Sequence, residues 1–251
     1  MRMETKSSAK KNDNIAVILS GGKGERFGSS LPKQYVEVDK KMIIEYCMET
    51  IFLHEAIDAV CIVADENYHD RIVKAMKGLS LPTEKFIGFV PSGEIRQLSI
   101  LNALNYIYER DDKNPEAASD GERVVLIHDA ARPNLKAKQI DDLLECMTEF
   151  DGAMPVLPMR DTVYISEDKK TVSRLIDRGT VFAGQAPECF RLEMYRQANL
   201  ALLPDDIYSI DGSTQPAILA GMNIAMIPGD EDNLKITTAG DLEWLKGRNE
   251  R

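Results

Sequence analysis

The chain has 251 residues, 43% of them hydrophobic and 29% charged, the composition of a globular protein with a sizeable core. Forty-one acids against thirty-one bases leave a net charge of −10, which argues against general binding to nucleic acid or anionic membranes. No apolar run approaches the roughly 20 residues that a membrane span needs, and the polar start MRMETKSSAKKNDN lacks the apolar core of a signal peptide.

Residues 1–13 are expected to form a frayed or disordered tail, with one domain over 14–251. Ile15–Leu19 reads as a buried strand. The stretch that follows, ILSGGKGERFGSSLPKQY, sets Gly21, Gly22, Gly24 and Gly28 among Lys23, Arg26 and Lys33. A backbone without Cβ can approach a ligand closely, its N–H groups can cradle phosphate, and the cations supply neutralising charge. From Lys41 onward the pattern is helical, over Met42–Leu53. Strand candidates then recur at Ala59–Ala64, Lys85–Val90, Arg123–His128 and Ala153–Leu157, separated by amphipathic stretches at Tyr68–Met76, Ile95–Glu109 and Ala137–Glu149. In Ile95–Glu109 the residues Leu98, Leu101, Ala103, Leu104, Ile107 and Tyr108 repeat at helical spacing. The polar stretch Asp111–Gly121 reads as a loop. This rhythm predicts an α/β fold with a mostly parallel sheet flanked by helices. Ligands bind such folds outside the carboxyl ends of the strands, where the glycine loop falls and where HDAARP (His128–Pro133) follows its strand.

Arg160–Arg178 breaks the rhythm. TVYIS and TVSRLI flank the polar EDKK, a hairpin too polar to be stable alone, so it is expected to be an inserted arm that packs on its own domain or crosses to a second copy. Leu192–Leu202, Ile224–Ile227 and Ala239–Arg248 then predict helix, strand and helix. Cys47, Cys61, Cys146 and Cys189 have no metal-ligand spacing and read as free thiols in a reducing cytoplasm.

Counting tests two familiar phosphate sites. The dinucleotide fingerprint needs G-x-G-x-x-G, whereas Gly22, Gly24 and Gly28 are spaced G-x-G-x-x-x-G. The P-loop needs Gly-Lys-Ser/Thr, and the chain has none. What remains is a glycine loop whose own Arg26 and Lys33 are the phosphate ligands.

GGKGERFGSSLPKQY, SGEIRQLSILNAL, IHDAARP, RDT, GQAPECF and NLKITTAGDL appear in this order. The series resembles the cytidylyltransferases that make 4-diphosphocytidyl-2-C-methylerythritol from CTP and 2-C-methyl-D-erythritol 4-phosphate. Sister enzymes that load CMP onto ribitol 5-phosphate share most of these motifs. The resemblance implies a Rossmann-like nucleotidyltransferase fold, a homodimer joined through arm 160–178, and Mg²⁺ or another divalent cation bound largely through the CTP phosphates. It implies that Arg26 and Lys33 hold the triphosphate, that Lys235 reaches the α-phosphate, and that Ser20, Gly21, Gly22, Gly24 and Ala130 close on the nucleotide. Gly93, Arg96 and Ser99 match the segment near the base. Asp129 and Arg132 would position the acceptor, with Asp129 a candidate metal contact. Thr162 and Arg178 match residues that grip the acceptor phosphate of the neighbouring subunit, and Ala186 falls in the acceptor region.

Three departures bear on the acceptor. Arg160 stands where the family usually has lysine, Ala186 replaces a frequent hydroxyl residue, and Asp211–Gly212 replaces an expected pair of acids. The resemblance makes methylerythritol phosphate the expected acceptor, the departures keep ribitol 5-phosphate as the alternative, and a nucleotide-binding regulator is the non-enzymatic one. His128 reads as a satisfied strand-end imidazole, because chemistry that starts from an ionised phosphate needs no general base.

Overall fold

The computed structural model describes residues 14–22, 31–112 and 123–249. Gly24, Gly28 and Arg26, and the expected tail 1–13, lie outside them. The chain opens with β1 (Asn14–Leu19), a small hairpin of β2 (Glu37–Val38) and β3 (Lys41–Met42), and α1 (Ile43–Leu53). The helical pattern expected from Lys41 thus begins two residues later. Glu45 accepts the Met42 backbone N–H and fixes that start. Next come β4 (Ala59–Val63), α2 (His69–Gly78), β5 (Phe86–Val90), α3 (Arg96–Asp112), β6 (Val124–Asp129), α4 (Ala137–Cys146) and β7 (Gly152–Pro158). The arm follows as β8 (Val163–Ile165) and β9 (Arg174–Ile176). The chain closes with β10 (Phe182–Gly184), β11 (Glu188–Arg191), α5 (Leu192–Leu200), α6 (Gln215–Leu219), β12 (Ile224–Pro228) and α7 (Ala239–Asn249).

Among the described residues, eight strands form one sheet in the order β10-β7-β11-β6-β1-β4-β5, with β12 on the other side of β7. β1 pairs in parallel with β4 and β6, and β4 with β5. β11 runs antiparallel between β6 and β7, and β10 antiparallel to β7. The sheet is mostly parallel, as the sequence predicts. The two antiparallel strands, β10 and β11, are an addition to the sequence reading, as is the short helix α6.

The central strands are buried on both faces, which is why they read as unbroken apolar runs. Alternation along them feeds two cores. Ala16, Ile18, Val60, Ile62, Val124 and Leu126 face Ile44, Met48 and Ile51 of α1, Ile72 and Met76 of α2, and Ile140 and Leu143 of α4. Ile15, Val17, Cys61, Val63, Val125 and Ile127 face Ile100, Leu104 and Ile107 of α3 and Leu192 and Tyr195 of α5. The chain passes from β1 outward through β4 and β5 and then returns to β1's other side with β6. That reversal opens a crevice at the carboxyl ends of β1 and β6. Among the described residues no helix is long and apolar enough to cross a membrane.

Candidate active site

A cleft of about 880 Å³ fills this crevice. Leu19, Val63 and Asp129 reach it from the ends of β1, β4 and β6, and Ser92 and Gly93 from the turn after β5. The entry to the glycine loop is held from below. Ser20 N–H bonds the Val63 carbonyl at 2.8 Å, and Ser20 Oγ donates to Tyr35 Oη at 2.8 Å. Gln34 Nε2 donates to the carbonyls of Ser20 (2.7 Å) and Gly22 (2.9 Å). Both partners belong to the 3-10 turn Lys33–Tyr35, whose Lys33 lines the cleft. The sequence reading quoted Gln34 and Tyr35 inside the motif without giving them work; they brace the loop.

Two glycines are required by contact. A Cβ on Gly21 would stand 2.4 Å from Ser92 Cβ, and one on Gly93 would stand 2.5 Å from Leu98 Cβ and 2.8 Å from the Ser99 nitrogen. Gly93 thereby seats its loop on the first turn of α3 and donates its N–H to Ser99 Oγ at 2.9 Å. The positive end of that helix opens on the cleft.

Asp129 is the electrostatic centre. Its Oδ1 takes Arg96 Nε and Nη2, both at 3.1 Å, and its Oδ2 takes Lys235 Nζ at 2.9 Å, with Arg132 Nε 3.8 Å away. Burial alone would push this carboxyl up, but the Arg96 and Lys235 charges outweigh it and hold the group well below the usual carboxylate range. Lys235 and Arg96 come from loop and helix positions 106 and 33 residues away from Asp129 in sequence, so only the fold unites them. His128 is fully buried, with Nε2 3.0 Å from the Arg132 carbonyl, and burial pushes its pKa down to about 4. The imidazole is neutral and sits at its strand's end, but it is only half satisfied: Nε2 has its partner while the buried Nδ1 has none.

Lys33, Gly21, Gly22, Gly93, Arg96, Ser99, Asp129 and Lys235 thus share one cleft. The other expected site residues among those described lie outside its lining. Ser20 sits beneath the loop, and Ala130 is buried with its N–H on the Leu19 carbonyl. Arg132 is turned inward and donates from Nη1 to the Asn233 carbonyl at 2.7 Å. Ala186 is buried, and its carbonyl accepts Asn233 Nδ2 at 2.7 Å. Thr162 and Arg178 are exposed at the base of the arm, where Arg178 Nη1 donates to the Arg160 carbonyl at 2.8 Å.

One functional candidate was missed. Glu188, the first residue of β11, is buried and accepts the hydroxyls of Ser213 and Thr214, with Oε2 3.8 Å from Arg96 Nη2. Burial pushes its carboxyl up, opposed by Arg96 and by the two hydroxyls. The only trace in the sequence is an acid between Pro187 and the apolar Cys189–Phe190, in a strand too short for alternation to declare it.

Among the described residues no group of three or more histidines, cysteines and acids could enclose a metal ion. Two carboxylates, Glu94 and Asp129, line the cleft, a donor set that fits Mg²⁺ bound beside substrate phosphates through one or two carboxylates and the phosphate oxygens.

Residues 14–246 match the family model described as 2-C-methyl-D-erythritol 4-phosphate cytidylyltransferase. A relative of that name from Thermotoga neapolitana is 31% identical over 233 residues, covering 93% of this chain and 95% of its own. A ribitol-5-phosphate cytidylyltransferase from Lacticaseibacillus paracasei is 29% identical, covering 92% and 95%. The crystal structure of 4-diphosphocytidyl-2C-methyl-D-erythritol synthase from Anaerococcus prevotii superposes with a TM-score of 0.78 at 20% identity, covering 95% of this chain and 96% of that one, a likeness of fold.

Proposed function

The chain belongs to the 2-C-methyl-D-erythritol 4-phosphate cytidylyltransferase family, and from that premise we propose how its cleft transfers CMP from CTP to 2-C-methyl-D-erythritol 4-phosphate with release of pyrophosphate. The observation that carries the reading is the Asp129 carboxylate gripped by Arg96 and Lys235 across from Lys33 and a backbone-lined glycine turn. A phosphate oxygen of the acceptor attacks the α-phosphorus in line, the bond to the β-phosphate oxygen breaks, and pyrophosphate leaves. The attacking oxygen is already ionised, so neither a protein nucleophile nor a general base is required, and the barrier lies in bringing two polyanions together. Lys33 and the amides of Gly21 and Gly22 take the triphosphate. Lys235, aimed by Asp129, meets the α-phosphate, and the Gly93–Ser99 turn presents backbone groups and the Ser99 hydroxyl to cytosine. Mg²⁺, held by Asp129 and phosphate oxygens, would supply further neutralising charge.

The arm supports a homodimer. Tyr164 and Leu175 pair directly across it and are 57% and 61% exposed, apolar surface that a second copy would cover. In that arrangement Thr162 and Arg178 serve the partner's acceptor. The free cysteines suit a reducing cytoplasm.

The test is pyrophosphate release from CTP with methylerythritol 4-phosphate, ribitol 5-phosphate and other polyol phosphates. Methylerythritol phosphate should be used best. Ribitol 5-phosphate preferred by more than about 10²-fold, roughly 2.7 kcal/mol, would transfer the assignment to the sister enzymes, and CTP binding without turnover on any acceptor would make the protein a nucleotide-binding regulator.

A further inference from the structure

A buried carboxylate without a task is costly unless it is paired, and Glu188 is buried beside the catalytic cluster. It is also rigidly held. Ser213 and Thr214 donate their hydroxyls to its two oxygens, and the Ser213 carbonyl is itself fixed by the buried Tyr195 hydroxyl at 2.7 Å. Its one cationic neighbour within ion-pair distance among the described residues is Arg96.

Arg96 has a different problem. It is a long side chain, 34% exposed at the cleft, and two of its three guanidinium nitrogens reach a single oxygen of Asp129. Asp129 must also aim Lys235 and serve substrate. A side chain anchored only to a group that is drawn elsewhere during turnover would regain its rotamer freedom at that moment. Glu188 supplies a second anchor, held by Ser213 and Thr214 and not by Lys235.

We propose that Glu188 is a positioning residue for this reaction: it tethers Arg96 from the β11 side, so that Arg96 keeps its station when Asp129 turns to substrate. The Asp211–Thr214 loop thereby acts on catalysis through two hydroxyls. The inference rests on the cytidylyltransferase reading of the cleft, and wild-type turnover is the control that separates the two.

The experiment is a double-mutant cycle on the full-length protein, read as kcat and KM for CTP and for methylerythritol 4-phosphate. Glu188→Gln keeps the shape and one accepting oxygen, turns the other hydroxyl contact into one in which the amide donates, and removes the charge that holds Arg96. It should lower kcat about tenfold while KM for CTP moves by less than about twofold, the pattern of a lost transition-state interaction. In an Arg96→Met background the same substitution should change kcat by less than about twofold, because the charge it acts through has gone. If Glu188→Gln does not accumulate folded, Ser213→Ala carries the test, with a smaller kcat loss expected in the wild-type background and none in Arg96→Met. Wild-type kcat in Glu188→Gln, or equal fractional losses in both backgrounds, would overturn the tether. A wild-type protein that releases no pyrophosphate would overturn the functional reading and the tether together.

Discussion

His128→Gln should flatten the acid side of this protein's stability profile. The imidazole is fully buried and its Nε2–H is given to the Arg132 carbonyl. Burial lowers its pKa from 6.5 to about 4, with Asp129 pulling upward and Arg132 and Arg96 adding to the drop. Below pH 6.5 the unfolded chain takes up a proton that the folded chain refuses until about pH 4. The contribution is therefore complete above the unfolded value and is lost as pH falls through that window. At 1.36 kcal/mol per unit the whole gap is worth about 3 kcal/mol, of which about 2 kcal/mol is gone by about pH 5. Glutamine can place an amide nitrogen near the position of Nε2 but cannot titrate. Urea unfolding of both proteins from about pH 7 to about pH 5, in a chelator to exclude bound cations, isolates the effect, since every other group is shared. The wild-type curve should fall more steeply, by about 1.4 kcal/mol per unit at most. Parallel curves would refute the reasoning. The variant's kcat should stay within about tenfold of wild type, because an imidazole buried outside the cleft lining with a pKa of about 4 is a poor general base.

Three further outcomes are expected. Lys33→Ala should cost at least about 10²-fold in kcat/KM, the scale of losing one charge-stabilising group, and near-normal turnover with the fold intact would remove Lys33 from the triphosphate site. Gly21→Ala should raise KM for CTP by forcing the loop off Ser92, and adding Ser92→Gly should restore it, since the two closest atoms, Ser92 Cβ and Oγ, would be gone and Ser92 Cα stands at 3.6 Å; no recovery in the pair would mean that the loop fails for another reason. Leu175→Ser, on the exposed face of the arm, should shift sedimentation at micromolar concentration toward monomer and lower activity in step, whereas an active wild-type monomer would dispose of the arm-mediated dimer.

The sequence by itself determined the architecture around the cleft. β1, β4 and β6 are apolar runs because both their faces are buried, and α1, α2 and α3 repeat apolar residues at helical spacing because one face of each meets the sheet; both periodicities are local and survive in one dimension. The glycine spacing likewise excluded two other phosphate sites, and the motif order carried the family. What only the tertiary structure decided is which charges meet. Arg96, Asp129, Glu188 and Lys235 lie on four segments, and nothing in their spacing announces that one carboxylate will be shared by an arginine and a lysine while a second stands behind the arginine. β10 and β11 are three and four residues long, too short to show a period, so their strand identity comes from the edges of β6 and β7 that they complete. The same holds for Arg132, whose motif sets it beside the acceptor and whose guanidinium turns inward to the Asn233 carbonyl: side-chain direction follows from the partners that packing brings within reach, and those partners are a hundred residues away.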